Sequence, residues 1–417
     1  MEIVYSRCSG LDVHKETVVA CVSIREGGKV QKEVQTFRTM TSDLLALHDW
    51  LIAHKVTHVA MESTGVYWRP VFNLLEGSFK VLLVNAAHVK AVPGRKTDVK
   101  DCEWIADLLA HGLLKGSFIP PEPIRDLRDL TRYRKSLSDE RVREVNRLQK
   151  LLKSANIKLS SVATDVMGIS GKAMLEALVG GNTDPEALAD LARGKLRKKF
   201  PLLREALQGR FRPHHRFLLE QILSHIDFLD EAIESVSQEV EDRIRPFLKE
   251  ITLLTTMAGV KQRVAENVIS EIGVDMSYFP THRHLASWTG LCPGNNESAG
   301  KRKSGKTRKG DRWLKRFLLE AAWAVSRTEG TYLWALYHRL ARRRGKKKAI
   351  VAVAHAMVVI AYHILKDKVP YHELGADHFD RLNITHIKHH LVKRLEGIGF
   401  KVTLPGRCLI EAKLFST

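Results

Sequence analysis

The chain is poor in the residues that staple small folds or knot them around metals. Its 417 residues include only five cysteines, Cys8, Cys21, Cys102, Cys292 and Cys408, an odd number with no Cys-x-x-Cys pair. That spacing excludes a zinc ribbon and a disulfide framework, and it points to a reducing compartment. The opening stretch MEIVYSRCSGLDVHKE has no apolar run of secretory-leader length. The longest apolar run, from Ala349 to Leu365, is interrupted by His355 and His363. It falls short of the roughly 18–20 uninterrupted apolar residues of a membrane span, so a buried helix is expected there. Acidic residues are also in deficit: 67 Lys and Arg stand against 47 Asp and Glu, a formal charge of +20. An acidic tail or activator is excluded, and a polyanionic partner is expected. With a membrane disfavoured, nucleic acid remains. Internal repeats and low-complexity segments are lacking too, apart from basic clusters.

What is present is a folded protein of 44% hydrophobic and 27% charged residues. Its length predicts two to three domains. Strand signals run over Val4–Cys8, Thr17–Ile24, Val30–Phe37, Val56–Met61 and Lys80–Val84, with a hairpin turn at Gly27-Gly28. Helical periodicity predicts helices over Ser42–Lys55, Val66–Leu75 and Asp98–Leu114. An antiparallel meander followed by α/β crossovers is the layout of an RNase H-like (RuvC-like) mixed sheet. Pro120-Pro121-Glu122-Pro123 is a stiff break, which closes a first domain at 1–120. A second region, 121–250, holds two long amphipathic stretches, Ile124–Leu159 and Phe217–Phe247, expected to form an antiparallel helical arm or a dimerising coiled coil. Short helices and loops are expected between them. A third, mostly helical region, 251–373, contains a weak helix-hairpin-helix-like pattern around Met257-Ala258-Gly259-Val260 and Glu271-Ile272-Gly273. Residues 374–417 read as a polar tail. The expected fold class is therefore α/β plus all-α.

Four acids recur where a site would need them. Asp12 follows a strand in Gly-Leu-Asp-Val-His-Lys, Glu62 ends a strand in Met-Glu-Ser-Thr-Gly, and Asp98 and Asp101 are three apart on a predicted helix. Residues three apart on a helix share a face. Carboxylates are hard oxygen ligands suited to Mg²⁺ or Mn²⁺, and clustering them is costly unless a dication compensates. Each acid taken singly has a plainer reading as a helix cap or a solvated residue, and Asp107 is a substitute for one of the four.

The second constellation is cationic. Residues 301–316 carry nine Lys and Arg against one acid. Lys301, Arg302, Lys303, Lys306, Arg308 and Lys309 are candidate phosphate contacts, as are Arg342, Arg343, Arg344 and Lys346 in a second cluster. A solvated charge run is the plain alternative, but interspersed glycines and flanking apolar helices argue for an ordered loop. Trp288 and Trp313 are read as core residues before base-stacking ones. Ser298, in Asn-Asn-Glu-Ser-Ala-Gly, stands just ahead of the cationic stretch. A serine attacks phosphorus only when activated and aimed, and Ser304 competes for the role.

The motifs GLDVHK at Gly10, MESTGVYW at Met61 and KTDVKDCEWIADLL at Lys96 resemble the N-terminal DEDD domain of RuvC-like transposases from one class of bacterial insertion sequences. Gly290-Leu291-Cys292-Pro293 and Asn295 to Lys301 resemble the signature of that family's C-terminal serine transposase domain. The resemblance spans roughly residues 5 to 365 and looks like a bridge-RNA-guided DEDD recombinase. It implies metal-binding and catalytic roles for Asp12, Glu62, Asp98 and Asp101, and a nucleophilic role for Ser298. It also implies Mg²⁺ or Mn²⁺, DNA and a structured guide RNA as partners, a dimer or tetramer with sites made by two protomers, and a place at the bacterial nucleoid in the cytoplasm. The chain departs from the family pattern at Ala258, where proline is usual, and over Lys306-Thr307-Arg308-Lys309, where an isoleucine-containing stretch is commoner.

Three other readings fit less well. A metal-only nuclease of the Holliday-junction resolvase kind has no use for the serine region. A non-catalytic packaging protein has no use for acids that repel phosphate. A sugar-kinase-like ATPase needs a later glycine-rich phosphate loop that the sequence lacks.

Overall fold

The computed structural model describes residues 2–63, 65–85, 101–294, 296–382 and 384–403. The chain divides into two compact units, Met1–Ile119 and Pro120–Thr417. In the first, β1 (Arg7–Val13), β2 (Thr17–Glu26) and β3 (Lys29–Arg38) form an antiparallel meander. Two further strands, β4 (His58–Glu62) and β5 (Lys80–Val84), join in parallel on the other side of β1. The strand order is β3-β2-β1-β4-β5, a mixed five-stranded sheet. Gly27 and Gly28, both at positive φ, form the tight turn that sets Glu26 opposite Lys29. The sequence reading ends the first strand at Cys8, but β1 runs on to Val13, so Asp12 lies within a strand, opposite Val19.

Side chains alternate across the sheet, and both faces are covered. Leu11, Val13, Val59, Met61 and Leu83 enter a core with α1 (Thr41–Ala53) and α2 (Trp68–Leu75). Cys8, Ala60 and Val84 enter a second core with Ile105, Leu108 and Leu109 of α3 (Asp101–Ala110). A Cβ on Gly10 would lie 2.2 Å from Cys102 O and 2.4 Å from Ala106 N. Glycine there is the condition for α3 to press its backbone onto β1. A glycine inside a strand reads as a break, which is why β1 looks shorter in the sequence than it is.

The second unit begins with α4 (Glu122–Ser154), which packs along α5 (Pro213–Ile244). Arg243 pairs with Asp126, Arg141 with Asp230, and Ser154 approaches His215, so the two helices run antiparallel. Within the chain, the two expected stretches thus pair with each other as an antiparallel arm. Four short helices between them, Leu159–Val162, Ile169–Val179, Pro185–Asp190 and Phe200–Leu207, close one end of the arm around Leu148, Leu152, Leu175 and Leu219.

Beyond the arm come α6 (Leu248–Thr255), α7 (Gln262–Ile272), α8 (His282–Trp288), α9 (Arg312–Val325), α10 (Tyr332–Arg344) and α11 (Lys346–Asp367). The apolar run is α11. It has the length and composition of a membrane span, but its Val353, Ala354, Met357, Val358, Ala361 and Leu365 are buried in the protein. Between α6 and α7, at the expected helix-hairpin-helix-like pattern, a Cβ on Gly259 would lie 3.0 Å from Val325 Cβ and 3.1 Å from Ala321 O, so this glycine seats the turn against α9. The region read as a polar tail contains helix Ile384–Gly397.

Candidate functional site

The acids of the first unit are positioned by register. Leu11 of β1 pairs with Met61 of the parallel β4. The next residue on each strand, Asp12 and Glu62, therefore stands at the same level on neighbours about 4.8 Å apart. Leu11 and Met61 enter the core under α1, so Asp12 and Glu62 project to the α3 face at the carboxyl ends of both strands. In open α/β sheets that end is where ligands bind. Helix α3 runs opposite to β1: Cys102 O lies over Gly10, and the Cys8 thiol reaches Ala106 O at 3.6 Å. Its first residue, Asp101, is thereby carried to the Asp12 end, with Cys102 in electrostatic reach of Asp12. Asp98 lies outside the described residues.

The donors brought to this edge are carboxylate oxygens, the set that a hard dication takes. Among the described residues, no three His, Cys, Asp or Glu side chains already close into a metal cage. Asp107 is not a member of the set. Arg25 and Lys32 hold its two oxygens at 2.5 and 2.7 Å and neutralise it within the fold. His14, which the sequence reading passed over, stands beside Asp12, with its Nε2 3.1 Å from Asp12 Oδ2. The signal was available, since His14 shares the motif with Asp12 and lies two residues on. The nearby thiols of Cys8, Cys21 and Cys102 are buried, and burial pushes Cys8 up to about 11.

The second unit presents Ser298. Strands β6 (Asn296–Ser298) and β7 (Lys301–Ser304) pair antiparallel with Ser298 opposite Lys301. Ala299 and Gly300, at φ 51° and 72°, make the two-residue turn between them. The serine is thus exposed at the tip of a hairpin, next to a lysine. Ser304 is occupied: its Oγ accepts the Lys306 N–H at 3.2 Å and shapes the returning strand.

The stem continues downward through Gly294 N–H to Lys306 O at 2.8 Å and Arg308 N–H to Cys292 O at 3.3 Å. At its base Gly290 and Gly310 pack backbone to backbone, where a Cβ on Gly310 would lie 2.3 Å from Gly290 N. Lys315, with its pKa lowered by burial, donates to Gly290 O and to Thr307 Oγ1. Asp311 caps α9 and accepts from Arg132 of the arm at 3.1 Å. That arginine also grips the buried Glu271 with two bonds of 2.7 Å. Burial pushes the Glu271 carboxyl up, against the pull of Arg132 and Arg128. The exposed tip therefore stands on a rigid, charge-clamped base.

Lys301, Lys303, Lys306, Arg308 and Lys309 are exposed along the hairpin, and the side chain of Arg302 lies outside the described residues. The second basic cluster straddles a break. Arg342, Arg343 and Arg344 form the last turn of α10, Gly345 turns the chain, and Lys346, Lys347 and Lys348 open α11. Arginines suit a helix carboxyl end, whereas lysines at an amino end oppose the dipole. A local rule broken at an exposed site is what an anionic partner would compensate. The tryptophans are engaged within the protein: Trp288 lies edge-on to Phe279, and Trp313 is flanked by the guanidinium groups of Arg132 and Arg312.

Comparison with known proteins identifies the class. A DEDD transposase domain, described as Transposase, matches residues 9–157, and a domain described as Transposase IS116/IS110/IS902 family matches residues 251–338. The first covers the acids and the second covers the hairpin and its base. The chain is also 28% identical over 306 residues, 67% of its own length and 73% of the relative's, to the insertion element IS110 uncharacterized 43.6 kDa protein of Streptomyces coelicolor. These matches define a DNA transposase, an enzyme that binds and recombines DNA. The chain is a transposase of the IS110 family.

Proposed function

We propose that this transposase cleaves and rejoins DNA strands with two groups, an acidic metal site on its first unit and a serine nucleophile on its second. The observation that carries the reading is the level placement of Asp12 and Glu62 on the α3 face of the mixed five-stranded sheet, with Asp101 at the start of α3. Together with Asp98 these residues would hold Mg²⁺ or Mn²⁺, which would supply positive charge beside the reacting phosphate. Asp12 is in turn oriented by His14.

Ser298 attacks the scissile phosphorus. A bond forms between Oγ and phosphorus, the bond from phosphorus to the 3′ oxygen breaks, the hydroxyl proton leaves to solvent or a carboxylate, and the 3′ oxygen takes up a proton. The strand is left as a 5′-phosphoserine ester. The reverse attack by another 3′ hydroxyl rejoins it. Lys301, Lys303, Lys306, Arg308 and Lys309, and the cluster from Arg342 to Lys346, neutralise the phosphates of the strand. Sequence choice comes from pairing with a structured RNA, since a protein that contacts chiefly backbone carries no sequence code of its own. The working unit is a dimer or tetramer acting at the nucleoid.

The test is a denaturing gel on cleaved, labelled DNA. A covalent adduct with wild-type protein that disappears in Ser298→Ala, persists in Ser304→Ala and needs Mg²⁺ or Mn²⁺ supports the reading. Cleavage undiminished in excess chelator, or an adduct on Ser298→Ala, refutes it.

A further inference from the structure

A groove of about 750 Å³ runs between the hairpin stem and the start of α11. We propose that it receives one unstacked nucleotide of the DNA strand that Ser298 attacks. The inference rests on the reading of Ser298 as nucleophile and specifies how the strand is held there.

The lining argues for a flat, apolar ring that carries an anion. Leu291 and Val351 supply apolar surface, and Lys306, Lys347 and Lys348 supply charge. A free phosphate has no use for the apolar part, and an apolar peptide has no use for three lysines. The volume lies inside the range of small-molecule sites, roughly 300–1,000 Å³. His355 also lines the groove. Burial, with His282 nearby, lowers its pKa, so at neutral pH the ring can stack on a base or bond to its edge without adding charge. An unstacked base is commonly read by such stacking and edge contacts.

Position along the hairpin matches. Lys306 pairs with Gly294, four residues below Ser298 on the same stem. That is about 13 Å at 3.3 Å per residue. A strand whose phosphate meets Ser298 would bring a nucleotide about two to four steps away to the groove. Splaying one nucleotide out would fix the register of the strand relative to the serine.

The experiment uses the full chain with its RNA and insertion-junction DNA carrying 2-aminopurine at single positions near the cleaved phosphate. A several-fold fluorescence rise is expected at one position, two to four nucleotides away as above. Val351→Trp, which fills the groove, should abolish it. Lys347→Gln with Lys348→Gln alters only exposed side chains and should weaken it at least threefold, which guards against Val351→Trp failing to fold. The Ser298 adduct is scored on the same samples. Adduct formation with no responsive position, or a rise that survives both variants, overturns the groove and leaves the serine standing. A response confined to 2-aminopurine in the RNA overturns it in favour of an RNA site. A rise without any Ser298 adduct sinks the serine reading, and with it the claim that the groove serves the attacked strand.

Discussion

The two units solve the problem of presenting chemistry in opposite ways. In the first, the candidate carboxylates sit on closely packed sheet strands. Asp12 lies one residue inside the end of β1 and Glu62 ends β4, the residues before them, Leu11 and Met61, are fully buried, and α3 is pressed onto β1 through Gly10. In the second, Ser298 sits on an exposed two-stranded tip, and the constraint is moved to the base, where Gly290, Gly310, Lys315 and Arg132 lock the stem. Groups that must hold a dication need fixed mutual geometry. A nucleophile that must meet a strand needs reach, with rigidity only behind it.

The largest expected effect probes the first arrangement. Replacing Asp12, Glu62 or Asp101 by Ala should lower strand cleavage by about 10²–10³-fold or more while leaving DNA binding within a few-fold. His14→Ala should cost less, about 10–100-fold, because it acts through Asp12. Cleavage rates beside gel-shift affinities check both. Equal losses of binding and cleavage would mean the acids support the fold rather than the chemistry.

The sequence carried most of this architecture, and for identifiable reasons. The meander, the crossovers and the arm all follow from period-2 and period-3.6 patterns that burial enforces. The level placement of Asp12 with Glu62 was not visible, because register is a property of two strands and only the paired sheet supplies it. The length of β1 was hidden by Gly10, whose role depends on Cys102 and Ala106 of a helix far along the chain. Asp107 could not be separated from the site until Arg25 and Lys32 were brought to it from other strands. Ser298 and Ser304 looked alike in sequence; pairing separates the exposed tip from the hydroxyl that shapes the stem. Likewise the packing of the Gly259 turn against α9 joins residues more than sixty positions apart, and no local pattern announces it.

Gly10 offers the next break. Gly10→Ala would push a methyl into the α3 backbone, a collision that side-chain repacking cannot relieve. A loss of about 1–3 kcal/mol is expected, as for other overpacked cores. Cleavage should fall with it, because α3 carries Asp101. Chemical denaturation with cleavage assays on the same preparation checks this. An unchanged midpoint would show that α3 does not pack as tightly as its contacts require.

The charged clusters test whether the second unit meets nucleic acid through phosphates alone. Six contacts predict a log–log salt slope between about −4 and −5.4. Replacing Arg342, Arg343 and Arg344 together by Gln should make it shallower by about 2–3. Binding measured from low to moderate salt gives both values. A parent slope near zero would remove the clusters from the interface and leave only the hairpin tip to contact DNA.

The smallest effect is the most local. Ala299 holds φ at 51° in the turn beside Ser298, a left-handed conformation that costs a non-glycine residue roughly 1 kcal/mol. If the tip is independent of the clamped base, Ala299→Gly should relieve that cost where it arises. Amide exchange at Lys301, opposite Ser298, should then slow about threefold to fivefold, the 1 kcal/mol being set against a small gain in unfolded-chain freedom. The global melting midpoint should stay put, because the hairpin tip opens far below the free energy of global unfolding. Hydrogen exchange and thermal melting on one sample separate the two. A raised midpoint would mean that the tip is cooperative with the core, and the contrast between a rigid acid edge and a reaching serine would have to be redrawn.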